Sequence, residues 1–213
     1  MSTDTVLESV VAYYAEKLSQ HGPVPRGVDW KNSESQELRF HQLIRLWNLK
    51  SDSTILDFGC GYGALLDFLR NQKNDCHYVG YDAAIEMITA GRNAHSEDKN
   101  SVFENERASL KPAHYAAASG LFNVRCGFSD SQFEEFVLRT LHEIDELSER
   151  GFSFNMLTKY SDSHLMREDL YYADPAFFFD YCKKNFSRKV ALLHDYELFE
   201  FTIVVSKSAS RDK

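Results

Sequence analysis

No stretch of the 213 residues approaches the roughly 20 consecutive apolar positions that a membrane-spanning helix requires. The opening "MSTDTVLESVVAYYAEKL" carries acids and lacks a basic segment followed by an apolar one. A secretory signal is therefore not expected, and the chain reads as cytoplasmic. Cysteine is sparse too. Cys60, Cys76, Cys126 and Cys182 are widely scattered, with no C-x-x-C or Cys/His ligand spacing, which argues for free thiols in a reducing compartment. Positive charge is in deficit: 24 Lys and Arg stand against 32 Asp and Glu, for a net charge of −8 with no run of five or six like charges. The electrostatic footprint of a nucleic-acid binder is missing. No acidic pair has the context of a magnesium site, and "SDSQFEEF" lacks the glycine and spacing of a calcium loop, so no metal is expected. No linker and no internal repeat divides the chain, and one domain is expected over residues 1–213.

What is present is a chain that can fold. It is 43% hydrophobic and 14% aromatic, which excludes a disordered or low-complexity polymer. Val6, Val10, Val11, Tyr14 and Leu18 recur at helical spacing, predicting a helix over about residues 4–19. "HGPVPRGVDWKNSE" reads as a loop, and a second helix follows from about Ser35. Strands and helices then alternate. "TILDFG", "HYVGYD", "SVFENE", "HYAAASG" and "FSFNMLT" read as strands; residues 64–71, 83–94, 130–150 and "PAFFFDYCKKN" read as helices. "KVALLHDY" and "EFTIVVSK" close the chain with a link too short for a parallel crossover, so that pair should be antiparallel. The expectation is an α/β fold with a doubly wound, mostly parallel seven-stranded sheet ending in an antiparallel hairpin. The last residues, "SASRDK", are expected to fray.

The first predicted strand runs into "LDFGCGYG", where Gly59, Gly61 and Gly63 crowd behind Asp57. In an open parallel sheet ligands bind outside the carboxyl ends of the strands, and a glycine turn lets the backbone approach them closely. Asp82 ends the second strand about twenty residues further on, where an acid typically meets the hydroxyl pair of a ribose. Gly59, Gly61 and Ala64 fit the loose dinucleotide pattern G-x-G-x-x-G/A, so an oxidoreductase is one reading. Yet Asp57 would then stand beside a pyrophosphate with no basic neighbour, whereas a ligand with a positive group there suits it by Coulomb attraction.

"LDFGCGYG" followed by "VGYDAAIEMI" resembles motifs I and II of the class I S-adenosylmethionine-dependent methyltransferases, over roughly residues 50–207. With "HDYELFEFTIVV" near the end, the chain is similar to bacterial members of small-molecule type. The resemblance implies a Rossmann-like methyltransferase fold with S-adenosyl-L-methionine as cofactor. Asp57, Gly59 and Gly61 would line its methionine end, with Cys60 inside the same turn, and Asp82 would bond the ribose. Ala83 and Met87 would flank the adenine, and Glu104 or Glu106 would reach its amine. In "ASGLFN", Ser119, Phe122 and Asn123 would face cofactor and substrate. An N-terminal helical lid, residues 1–50, would bring Tyr14, Trp30, Gln36 and Arg39 to the ligand, with Arg39 pairing the methionine carboxylate or else a neighbouring glutamate.

The stretch 157–175, "LTKYSDSHLMREDLYYADP", lacks a clean period and concentrates Tyr160, His164, Arg167, Tyr171 and Tyr172, which marks it as a substrate-side insert. His164, His194 and Tyr160 are the candidates for proton transfer, although a histidine in a turn is more often structural or solvated. The expected reaction is methylation at an oxygen or nitrogen of a polar small molecule: a sugar, nucleotide-linked or amino acid derivative. A protein or RNA methyltransferase, and a cofactor-binding module without catalysis, are the alternatives. No nucleic acid or membrane partner is expected. Exposed parts of helix 130–150 or "FFFDYC" could pair two copies as a homodimer.

Overall fold

A computed structural model describes residues 3–30 and 32–207, so the tail over 208–213 lies outside the described residues. In chain order the elements are α1 Thr3–His21, α2 Ser33–Ile44, β1 Thr54–Phe58, α3 Ala64–Asn71, β2 His77–Tyr81, α4 Ile85–Ala94 and β3 Ser101–Glu104. There follow β4 Ala113–Ala118, α5 Asp130–Glu146, β5 Ser148–Leu157, α6 Pro175–Asn185, β6 Lys189–Leu193 and β7 Glu200–Ser206. The strands form one seven-stranded sheet in the order β3-β2-β1-β4-β5-β7-β6. All pairs from β3 to β5 are parallel, and β7 lies antiparallel to both β5 and β6. The order reverses between β1 and β4, which opens a crevice at the carboxyl ends of those strands.

Both faces of the sheet are covered, as the apolar runs demand. On β1, Leu56 turns toward a cluster with Val6 and Val10 of α1, Phe133, Phe136 and Leu141 of α5 and Phe178 of α6. Its neighbour Ile55 turns the other way, toward Phe40 and Leu43 of α2, Leu65 and Leu69 of α3 and Ile88 of α4. The segment between α1 and α2 is a loop, within which Pro25–Val28 makes one tight helical turn. Asn32 then caps α2 by accepting the Ser35 N–H at 3.0 Å.

One boundary differs from expectation. The helix predicted over 130–150 ends at Glu146, and Ser148, Glu149 and Arg150 open β5 instead. Pairing with β4 overrides local helical preference there: Ser148 is in register with Ala113, whose N–H bonds the Leu147 carbonyl at 2.9 Å.

Candidate functional site

The turn after β1 is built to present backbone. Gly59, Gly61 and Gly63 all have positive φ, of 83°, 55° and 95°. Gly59 and Cys60 both donate to the carbonyl of Tyr81 (2.8 and 2.9 Å), which ties the turn to the end of β2. At Gly61 a side chain would be strained by its φ, and a Cβ would come within 3.2 Å of Val28 in the loop between α1 and α2. Asp82 holds this arrangement from the other side. One carboxylate oxygen accepts from Gly61 N and the other from Ala84 N, each at 2.9 Å. Asn105 braces the same corner by donating to the carbonyls of Asp82 and Ala83 (3.4 and 3.1 Å).

Asp57 is buried at the end of β1 and accepts one hydrogen bond, 2.7 Å, from the Tyr78 hydroxyl on β2. Burial pushes its pKa up to about 7, and the nearby Asp82 charge adds to the shift against the opposing Tyr78 bond. Burial also pushes Asp82 up to about 6, against its two backbone bonds. Two carboxylates so placed form a site that favours a cation and hydroxyl donors. Cys60 is a buried thiol whose pKa is pushed well up by that burial, so it is no nucleophile.

The cleft that these groups border is roofed by the N-terminal segment. Leu7, Val10, Val11 and Tyr14 of α1, Val28, Trp30 and Gln36 close it above Asp57, Gly59, Cys60, Gly61, Tyr62, Asp82, Ala83 and Met87. Ser119, Gly120 and Leu121, just past β4, form one wall, and Phe136 and Thr140 of α5 another. Buried polar atoms in folded chains are nearly always paired. The Ser119 hydroxyl is an exception: it borders the cleft with no hydrogen-bond partner. Tyr14 reaches the Gly120 carbonyl at 3.5 Å, and burial drives its pKa far above the usual phenol range.

Other residues singled out in the sequence lie elsewhere. Arg39 is buried and committed to Glu200, its Nε donating to both carboxylate oxygens (2.8 and 2.9 Å), while Nη1 donates to the Ser35 carbonyl at 2.7 Å. Phe122 is fully buried against Phe154. Asn123 is buried as a brace, its side chain accepting from Leu157 N at 3.3 Å and its carbonyl from Tyr171 N at 2.8 Å. Tyr171 packs on Phe133 and donates to Glu134 at 3.2 Å. Tyr172 and Arg167 bond each other within the insert, through the Arg167 N–H. The Arg167 guanidinium reaches Asp29, in the loop between α1 and α2, at 3.7 Å. Glu104 and Glu106 flank Asn105 and do not border the cleft. His164, His194 and Tyr160 are exposed and outside the cleft lining, with the Tyr160 and His194 rings 6.1 Å apart.

Sequence reading missed Tyr62, Tyr78, Arg107, Asn155 and Glu200. Arg107 borders the cleft, sits over the Phe58 ring and pairs with Glu143 of α5. Asn155 and Glu200 left a signal in the sequence: each is a strongly polar residue in a mostly apolar strand, "FSFNML" and "LFEFTIVV". A buried polar side chain of that kind needs a partner.

Comparison with known proteins agrees with this geometry. Residues 32–150 match the family model described as a methyltransferase domain. Over 166 residues the chain is 45% identical to the candidate methyltransferase Rv1506c of Mycobacterium tuberculosis, covering 78% of this chain and 100% of the relative. Among solved structures, the fold is similar to the Haemonchus contortus phosphoethanolamine N-methyltransferase 1 in complex with phosphoethanolamine and S-adenosylhomocysteine. That likeness has a TM-score of 0.62 and 10% identity, over 100% of this chain and 51% of that one. It is also similar to the small RNA methyltransferase HEN1, with a TM-score of 0.59 and 14% identity over 83% of this chain and 25% of that one.

Proposed function

The chain belongs to the class I S-adenosylmethionine-dependent methyltransferases, and on that premise we propose that it methylates an oxygen or nitrogen of a polar small molecule. A sugar, nucleotide-linked or amino acid derivative is the acceptor class we favour. The observation that carries the reading is the roofed cleft, in which a buried carboxylate and an unpartnered hydroxyl face inward under Tyr14, Val28 and Trp30. A concave, partly covered cleft suits a small acceptor, and a net charge of −8 gives a nucleic acid little to bind.

S-adenosylmethionine supplies a methyl group already activated on a positively charged sulfur. The protein's part is to bind, orient and exclude water. Asp57, once ionised, would hold the positive methionine end beside Gly59 and Gly61. Asp82 retains free lone pairs for ribose hydroxyls, because each oxygen has accepted only one backbone N–H. Ala83 and Met87 would border the adenine, and Ser119 would give its hydroxyl to the ligand. Among the described residues lining the cleft there is no histidine or lysine. We therefore assign no proton transfer to His164, His194 or Tyr160; the accepting oxygen or nitrogen would attack with its own lone pair and give up any proton it carries to solvent.

Calorimetric titration with S-adenosylhomocysteine tests the reading. The wild type should bind, and Asp82→Ala should lose binding beyond detection, because it removes the ribose partner and the brace of the glycine turn together. A panel of nucleotide sugars and amino acid derivatives follows. Turnover on none of these but on an RNA or protein would move the acceptor class and leave the cofactor standing.

A further inference from the structure

The lid is fastened to the sheet by a buried polar chain that the cofactor motifs do not include. Glu200 is the first residue of β7 and only 1% exposed. On one side its carboxylate takes the Arg39 guanidinium of α2, through Nε and Nη2. On the other it accepts from Asn155 Nδ2 of β5 at 2.6 Å. Asn155 in turn accepts, through Oδ1, the N–H of Gly120 at 2.9 Å. Both arms end at the cleft. Gly120 follows Ser119, and both border the hollow. At the other end the Arg39 guanidinium lies 3.9 Å from the centre of the Trp30 ring, and Trp30 is part of the roof.

The two arms also meet. A Cβ placed on Gly120 would stand 2.2 Å from the Trp30 ring, so the indole fills the space that glycine leaves open. Gly120 has φ of 71°, and its amide is aimed at Asn155. Roof and wall are therefore set against each other, and each is held from behind by the same carboxylate.

We infer that Glu200 is a positioning residue, which fixes Trp30 through Arg39 and the Ser119–Gly120 backbone through Asn155. It thereby shapes the space in which the acceptor meets the cofactor. A buried ion pair is weak evidence of stabilisation, since apolar residues of like volume often serve as well or better. A bidentate fork with a stacked ring is a different matter, because it specifies orientation. The inference deepens the methyltransferase reading and rests on it only for what occupies the cleft.

The test uses Trp30 as its own reporter. The chain has two tryptophans, and the other, Trp47, is stacked on Tyr115 with its indole N–H unpartnered, so Trp47→Phe should be mild. In that background we expect Glu200→Gln to fold, to raise acrylamide quenching of Trp30 at least twofold, and to weaken S-adenosylhomocysteine binding about tenfold. A lower unfolding midpoint with unchanged quenching and unchanged affinity would overturn the inference, leaving Glu200 a structural staple. Asn155→Ser cuts one arm only. It should weaken binding several-fold while Trp30 stays shielded, and wild-type affinity in that variant would overturn the Gly120 arm. Should the wild type not bind S-adenosylhomocysteine, the cofactor reading fails, while the quenching of Trp30, read without ligand, still decides the positioning role.

Discussion

Asp57 and Asp82 carry the pH behaviour of the cleft. Burial raises them to about 7 and about 6 from an ordinary 3.8. From about pH 4 up to those values the folded chain holds protons that the unfolded chain has released, so the ligand-free protein loses stability as pH rises through that window. A bound cation changes the balance, because positive charge beside Asp57 favours its ionised form. Affinity for S-adenosylmethionine should therefore climb from about pH 5.5 to about pH 8, with protons released on binding below about pH 7. Calorimetry in two buffers of different ionisation enthalpy reads that release, and a flat profile would mean that neither carboxylate meets the ligand's charge. These two acids were legible in the sequence because each stands at the end of a strand beside residues that betray its setting, the glycines after Asp57 and "VGY" before Asp82. Tyr78 was not. Its hydroxyl matters only because β2 lies alongside β1, and no spacing along the chain encodes that neighbour.

Among the elements, α5 shows how local chemistry and tertiary pairing divide the work. Its start is fixed locally by a capping box, in which Ser129 and Gln132 satisfy each other's backbone N–H groups. Ser129→Ala should lower unfolding free energy by about 1 kcal/mol in urea melts. The affinity for S-adenosylhomocysteine should not change, since the cap lies away from the cleft. The end of the same helix is not fixed locally. "LSERGF" reads as more helix until β4 is in place to pair with it, and so the sequence overran the boundary by four residues, from Glu146 to 150. The stretch 157–175 is irregular in its sequence pattern, and its aromatic and charged residues have the types expected of a pocket wall. Tyr171 instead faces the core and Arg167 faces Asp29, because a segment with no period gives no indication of which way its side chains turn.

At the scale of the whole molecule the alternation of strands and helices, and the short link before β7, were enough to give the class of sheet and its antiparallel end. They left unspecified what the last strand contributes to the cleft. The two cores are separate in composition but share β1, with Leu56 in one and Ile55 in the other. Both faces should therefore melt together. Leu56→Ala and Ile55→Ala should each cost about 2–5 kcal/mol and shift a single transition. Tryptophan fluorescence and far-ultraviolet circular dichroism should trace the same curve, and two resolved steps in either variant would show that the faces unfold independently. The distance along the chain between the lid and its fastening has a consequence for synthesis. Arg39 and Glu200 are 161 residues apart, and domains are made from the amino end at about 5–20 residues per second. The glycine turn and both acids emerge from the ribosome well before the carboxylate that closes the roof over them. A nascent chain therefore passes several seconds with its glycine turn and both acids already made but without the β7 carboxylate that holds Arg39 and Asn155 in the folded protein.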